Sequence, residues 1–312
     1  MNIRAVKFIF AISLSLIFSI TISAQGKKPA APTYREIAIV TEPRTIVWLD
    51  GVRFGRTDKD GRLEIKTVST GPHTLRLRAD GFKDKIQPLT AVQKGEIALT
   101  LVKTTDEAEL TYQEAERIST EDREKAAAAY RRAIAARPNY PDAYIGLARV
   151  TSEGGNFEDA EKAIASLRKY RPTHAEASAI EGRIHKDSGE EEKAVRSFKR
   201  SITEGKGYQP EAYTGLGLLY KEKAESLQGS DPEAETENFN EAAKNLKTAL
   251  KQLSGAPDAA VIYQLLGLVY EKQKKYTEAI DIYEEFLRLF PTSNEATAVQ
   301  SFIVQLKKDM PQ

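Results

Sequence analysis

The spacing of apolar residues changes once along this chain, close to position 104. From Tyr34 to Lys103 apolar positions alternate with polar or small ones: Ile37 and Ile39, Leu63 and Ile65, Leu75 and Leu77, then Ile97, Leu99 and Leu101. A period of two turns one face of a strand toward a core. Asp50-Gly51 separates Thr45–Leu49 from Val52–Phe54 as a two-residue hairpin turn would, and Asp60-Gly61 repeats the signal. Thr70-Gly71-Pro72 and Asp80-Gly81 add two more breaks. The pattern predicts six or seven short strands in a small antiparallel β-sandwich over 34–103, with Trp48 in its core.

Beyond that point the period becomes helical. In residues 141–174, PDAYIGLARVTSEGGNFEDAEKAIASLRKYRPTH, the residues Tyr144, Leu147 and Ala148 share one helix face. Gly154-Gly155-Asn156 breaks that helix, and a second carries Ala160, Ala163, Ile164 and Leu167 until Pro172 ends it. Two such helices cannot bury their apolar faces alone and need copies on either side. The copies are present: Ala126, Tyr130, Ala133 and Pro138 precede, while Gly182, Gly189, Ala194 and Phe198 follow. Tyr213, Gly215, Gly217, Tyr220, Ala242, Leu246 and Ala249 come next, then Tyr263, Gly267, Tyr270, Ala279, Tyr283, Phe286 and Pro291.

These units resemble the tetratricopeptide repeat, a helix–turn–helix of 34 residues. Five fit at 107–140, 141–174, 175–208, 210–256 and 260–293, within a solenoid over 104–308 closed by a capping helix at 294–308. Ala298, Phe302, Val304 and Leu306 are expected to face the last repeat. The first repeat fits poorly, with Gln113 and Glu114 where leucine and glycine belong, as suits a terminal unit facing solvent or the β module. The fourth carries 13 extra residues between Tyr213 and Ala242, which predicts a longer helical hairpin around Gly229-Ser230-Asp231-Pro232. The fold class is thus α+β multidomain, a small β-sandwich followed by an all-α repeat solenoid.

The β module resembles PEGA-type surface-layer domains through Glu42-Pro43, Val47-Trp48-Leu49-Asp50-Gly51, Gly55-Arg56-Thr57, Gly71-Pro72-His73-Thr74-Leu75 and Asp80-Gly81-Phe82. Arg44-Thr45 stands where that family has Gly-Ala, and Thr57-Asp58 replaces Thr-Pro. Asp58 to Leu63 is closer to the carboxypeptidase-regulatory-like sandwich. Either resemblance implies an accessory envelope module without catalysis of its own.

Residues 1–24 read as a secretory signal peptide: Arg4 and Lys7, an apolar run from Phe8 to Ile22, and a small residue, Ala24, at the cut. Residues 25–33 read as a linker. The expected location is periplasmic or secreted, with no membrane span left after cleavage; the alternative reading of the segment is an uncleaved membrane anchor. The 312 residues allow about two domains and include no cysteine, so disulfides and thiolate chemistry are excluded. Thirteen Lys/Arg against nine Asp/Glu in 34–103, and 29 against 36 in 104–312, leave no concentrated basic surface for nucleic acid.

Catalytic and metal patterns are missing. His73, His174 and His185 have no second histidine at metal-binding helical spacing, and no nucleophile elbow or nucleotide loop occurs. Asp58-Lys59-Asp60-Gly61 lacks the glutamate of a calcium loop and reads as a hairpin turn. No cofactor is expected. The resemblance to tetratricopeptide repeats instead implies a concave face lined by each first helix, here Ile145, Arg149, Glu176, Arg183, Lys186, Thr214, Leu218, Lys221, Gln264, Leu268 and Glu271. Of these, Ile145, Arg149, Arg183, Lys186, Thr214, Leu218, Lys221 and Gln264 are the candidate contacts to an acidic or amphipathic peptide, with Arg149 and Arg183 as charged anchors. The expected function is an exported, non-enzymatic adaptor for a protein or peptide partner. The alternative is a cell-wall or surface-layer architectural protein whose β module binds glycan or polymer.

Overall fold

The structure is a computed structural model and describes residues 34–310; the expected signal segment and linker lie outside the described residues. Seven strands come first: β1 (Tyr34–Val40), β2 (Ile46–Leu49), β3 (Val52–Arg56), β4 (Arg62–Ser69), β5 (His73–Arg78), β6 (Lys85–Leu89) and β7 (Gly95–Ala98). They form a three-stranded sheet, β4-β1-β7, and a four-stranded sheet, β3-β2-β5-β6. Between the sheets Ile37, Ile39, Val47, Leu49, Val68, Leu75, Leu77 and Leu89 are buried, as the alternation predicts. Leu49 pairs with Val52 across Asp50-Gly51, whose φ values of 51° and 82° give the type I′ turn that matches strand twist.

Three details depart from the sequence reading. The pair β1–β7 is parallel while all other pairings are antiparallel, because the chain reaches β7 by crossing from the other sheet. Asp60-Gly61 is not a hairpin, since β3 and β4 belong to different sheets. The Asp58 carboxylate holds that corner by accepting from Asp60 N at 2.9 Å and Arg62 N at 2.8 Å. Lastly, Trp48 is not in the sandwich core. Val47 and Leu49 point into it, so the residue between them points to the other face of the sheet.

Eleven helices follow among the described residues: α1 (Glu107–Ile118), α2 (Arg123–Ala136), α3 (Pro141–Glu153), α4 (Phe157–Arg168), α5 (Ala175–Asp187), α6 (Glu191–Glu204), α7 (Pro210–Ser226), α8 (Pro232–Leu253), α9 (Ala259–Lys272), α10 (Tyr276–Leu289) and α11 (Ala296–Asp309). Their starts are chemically marked. Asp106, Asp122, Asn156, His174 and Asp231 each accept a backbone N–H of the first turn, and Pro141, Pro210 and Pro232 open their helices.

The seams rest on small residues facing large ones. The Phe198 ring of α6 fits between Gly182 of α5 and Gly215 of α7, where an added Cβ would stand 2.5 Å and 2.3 Å from it. The extra residues of the fourth unit lengthen α7 to 17 residues and α8 to 22, against 12 to 14 in the other helices, and Phe239 anchors the addition in the core. On α11 the buried face is Val299, Ile303 and Leu306; of the other predicted residues Phe302 meets the Tyr283 ring of the last repeat at 5.9 Å while half exposed, and Ala298 and Val304 face away. Steps of four and three keep a stripe on one side of a helix; Leu306 lies on it and Phe302 at its edge.

The β module is packed into the array rather than strung before it. Its buried side chains and those of α8–α11 form one continuous apolar cluster. Thr67 on β4 lies against Gly255 in the α8–α9 turn. At the other end Gln113 of α1 donates to the Phe82 carbonyl and accepts from Gly81 N, both at 2.8 Å. That contact explains a glutamine where the repeat pattern expects leucine: the first helix meets strand-end backbone, which needs hydrogen bonds.

Candidate functional site

The outer face of the four-stranded sheet is set by strand register. Trp48 stands opposite Arg53 on one side and Arg76 on the other, so all three side chains share one face. The guanidinium carbons of Arg76 and Arg78 lie 5.5 Å and 5.8 Å from the Trp48 ring centre, within cation–π range. This face looks toward the first helices of the repeats. Arg78 reaches Asp142 of α3 at 2.9 Å and Asp84 at 2.9 Å, and stacks 4.4 Å over the Tyr112 ring of α1. Arg76 adds Asp84 at 2.7 Å and also pairs with Asp142.

Between this face and the array lies a chamber of about 840 Å³. The β side contributes Trp48, the Asp50–Arg53 turn, Arg76 and Arg78; α3, α5, α7 and α9 contribute the opposite wall. Six of the eight candidate contacts are brought together there: Ile145, Arg149, Arg183, Lys186, Thr214 and Leu218. Lys221 and Gln264 do not line it. Lys221 instead holds Glu225 at 2.8 Å along its own helix.

The cations of the concave face differ in how far they are engaged. Arg149 donates to Glu176 at 2.9 Å and to Glu211 at 2.5 Å, and so ties α3 to α5 and α7. Burial works against the Glu211 carboxylate, but Arg149 outweighs it and holds that group below the usual range. Asp142 is likewise pushed up by burial and pulled down further by Arg76 and Arg78. Lys186 pairs with Asp187 and Glu222, each at 3.3 Å. Arg183 has only distant ion pairs, 4.0 Å to Glu153 and 3.8 Å to Glu211, and its Nη2 is buried without a hydrogen-bond partner. At the chamber's edge Tyr208 is pushed up to about 12 by burial and by Asp50.

Sequence reasoning missed the β-side wall. Its signal was present as Trp48 and three arginines on alternating positions of adjacent strands, but strand order was needed to see them on one face.

The histidines are structural. His73 Nδ1 faces Asp50 at 2.6 Å, and Ser69 Oγ is 3.4 Å from Nε2, which resembles a nucleophile, base and orienting acid. Nε2 lies closer, at 2.9 Å, to the Ser69 carbonyl, an acceptor that requires N–H on that nitrogen; it is not placed to take the hydroxyl proton. His174 caps α5, and His185 holds Glu190 at 2.7 Å. Among the described residues no group of three or more His, Asp or Glu side chains could hold a metal ion, and no helix is long and apolar enough to cross a membrane.

Comparison with known proteins follows the helices. One tetratricopeptide-repeat family model matches residues 117–184, and a second matches 152–219 and 233–294. Anaphase-promoting complex subunit 3 of Schizosaccharomyces pombe is 26% identical over 172 residues, which are 55% of this chain and 23% of that protein. The chain therefore spans less than a quarter of that curated relative's length. Yeast Tom70 superposes with a TM-score of 0.53 at 19% identity, over 66% of this chain and 41% of Tom70. The APC/C hetero-tetramer Cut9-Hcn1 gives 0.51 at 18% identity, over 65% and 37%. At these identities the structural likeness carries the fold alone.

Proposed function

From the premise that this chain is built on tetratricopeptide repeats, we propose that it is an exported, non-enzymatic scaffold holding a protein or peptide partner in the bacterial envelope or periplasm. The observation that carries this reading is the chamber, in which six concave-face residues from α3, α5 and α7 converge opposite the β sheet. A wall of mixed chemistry suits peptide side chains: Leu218 and Ile145 offer apolar contact, Thr214 a hydroxyl and Arg183 a charge. The amino-terminal basic and apolar run supports export. The PEGA-like turns of the β module support an envelope role. One departure from that pattern has a local reason, since Asp58 N donates to the Arg62 carbonyl at 2.9 Å, a bond proline could not make; at the other, Arg44 keeps the positive φ of 62° that glycine favours.

A photo-crosslinking residue at Leu218 of the full chain, in cells that make it, tests the reading. A discrete protein adduct is expected, lost when Thr214 is changed to Arg to obstruct the chamber. Absence of any adduct, or adducts indifferent to Thr214→Arg, would contradict it.

A further inference from the structure

The chamber wall is polar but has no charge to spare. Six lysine and arginine side chains line it against seven aspartate and glutamate side chains, and nearly all are paired. Arg76 and Arg78 hold Asp142, Arg149 holds Glu176 and Glu211, Lys186 holds Asp187, and Arg183 lies 3.8 Å from Glu211. Asp50 faces His73, and Glu116 accepts the Tyr130 hydroxyl. That leaves the exposed Arg53 and Asp258, one of each sign. Helix ends add to this balance. α3, α5, α7 and α9 open onto the chamber, and each begins there with its own acid: Asp142, Glu176, Glu211 and Asp258. A helix start attracts an anion through its free N–H groups, and a resident carboxylate takes that place. The wall therefore selects against a charged ligand of either sign.

We propose that the chamber binds a short uncharged oligosaccharide, stacked on Trp48. The inference goes beyond the scaffold reading and gives the chamber a second kind of ligand. Three features favour a sugar over an uncharged peptide. At about 840 Å³ the chamber falls in the range of roughly 300–1,000 Å³ that small-molecule sites occupy. Each ion pair on the wall sets a donor beside an acceptor, and one hydroxyl can accept from the first while donating to the second. The amide groups of a peptide carry those two functions on separate atoms. Lastly, Trp48 is half-buried and lines the chamber, with Arg76 and Arg78 beside its ring from the neighbouring strand β5. An indole is flat, apolar and negative on its face, which suits the C–H face of a pyranose. Ile145 and Leu218 on the opposite wall offer the sugar a second apolar contact. The site is shared, since Trp48 comes from β2 and the ion pairs come mostly from α3, α5 and α7.

Trp48 is the sole tryptophan, so its emission reads the site directly. The full chain is titrated with three uncharged trisaccharides (triacetylchitotriose, cellotriose and maltotriose), with hexaglutamine and hexaglutamate as controls. At least one trisaccharide should shift the emission to shorter wavelength along a saturable curve, with a Kd below about 1 mM. Neither peptide should. Raising NaCl about tenfold should leave that Kd within about twofold, because the ligand brings no charge to be screened. By calorimetry, Trp48→Ala should weaken binding about tenfold or more and Trp48→Phe much less, as a stacking contact requires. Trp48→Ala also removes packing from Arg76 and Arg78, so Thr214→Arg, which obstructs the chamber and keeps Trp48, serves as the second variant. It should abolish the shift. Saturation by none of the three sugars, a tighter Kd for either peptide, or binding untouched by Thr214→Arg overturns the inference. A protein adduct at Leu218 without sugar binding leaves the scaffold reading in place and overturns this one. Sugar binding without an adduct does the reverse.

Discussion

Arg78 on β5 places its Nη2 2.9 Å from the Asp142 carboxylate in the first turn of α3. The arginine side chain is 5% exposed and stacks on Tyr112, so the β module is joined to the array by a charge that water cannot easily reach. Removing one partner of such a pair leaves the other buried and poorly compensated. Arg78 keeps Asp84, which limits the damage. Asp142→Asn should therefore cost about 1–3 kcal/mol in urea unfolding at neutral pH.

The same pair sets an acid dependence. Burial pushes the Asp142 carboxyl up, while Arg76 and Arg78 outweigh that and hold it below its ordinary value. A carboxyl depressed in the folded state contributes its stability above the unfolded value, near 3.9, and loses it as pH falls through the folded value. Melting temperature should fall below about pH 4, and the fall should be shallower in Asp142→Asn. An equal slope in both proteins would assign the acid loss to other groups.

Trp48 is the sole tryptophan and lines the chamber beside Arg76 and Arg78. Its emission reports the seating of the β module without any label. Asp142→Arg, which sets a third guanidinium against those two, should shift the emission to longer wavelength and raise acrylamide quenching. Unchanged emission would mean that Trp48 does not sense the array.

Gly217 on α7 faces Leu246 of α8, and an added Cβ would lie 2.7 Å from the leucine side chain. Leu246 is fully buried, and both its Cγ and Cδ2 lie at that distance. Gly217→Leu should destabilise by about 1–3 kcal/mol through overpacking, measured by thermal melting. A melting temperature equal to the parent's would contradict the seam.

Arg44 adopts φ of 62°, a region in which a side chain costs about 1–2 kcal/mol relative to glycine. Its backbone N–H still donates to the Thr57 carbonyl at 3.1 Å, a bond glycine would keep. Arg44→Gly is expected to stabilise the protein by about 0.5–1 kcal/mol in chemical denaturation, part of the relief being offset by greater freedom in the unfolded chain.

The repeat seams were legible in the sequence because they depend on residues at fixed helical spacing: Gly182 with Phe198, Gly267 with Tyr283, and Leu246 with Gly217. The I′ turn at Asp50-Gly51 was legible because its geometry is local. Trp48 and Asp60-Gly61 were misread for a shared reason. Each depends on which sheet a strand joins, a long-range choice that alternation along one strand does not contain. The concave positions could be listed from repeat phase, whereas their ion-pair partners could not. Arg149 meets Glu211 from the repeat after next, and the wall opposite comes from a β module more than 50 residues upstream.

The chamber exists only if the β2–β3 turn sits over the concave face. A p-benzoylphenylalanine at Arg53 in the purified full chain, irradiated at low concentration and digested for mass spectrometry, measures this directly. The structure predicts intramolecular crosslinks to the α5, α7 or α9 peptides that line the chamber, around Arg183, Thr214 or Val261. Crosslinks confined to the β module, with a melting temperature equal to the parent's, would contradict it.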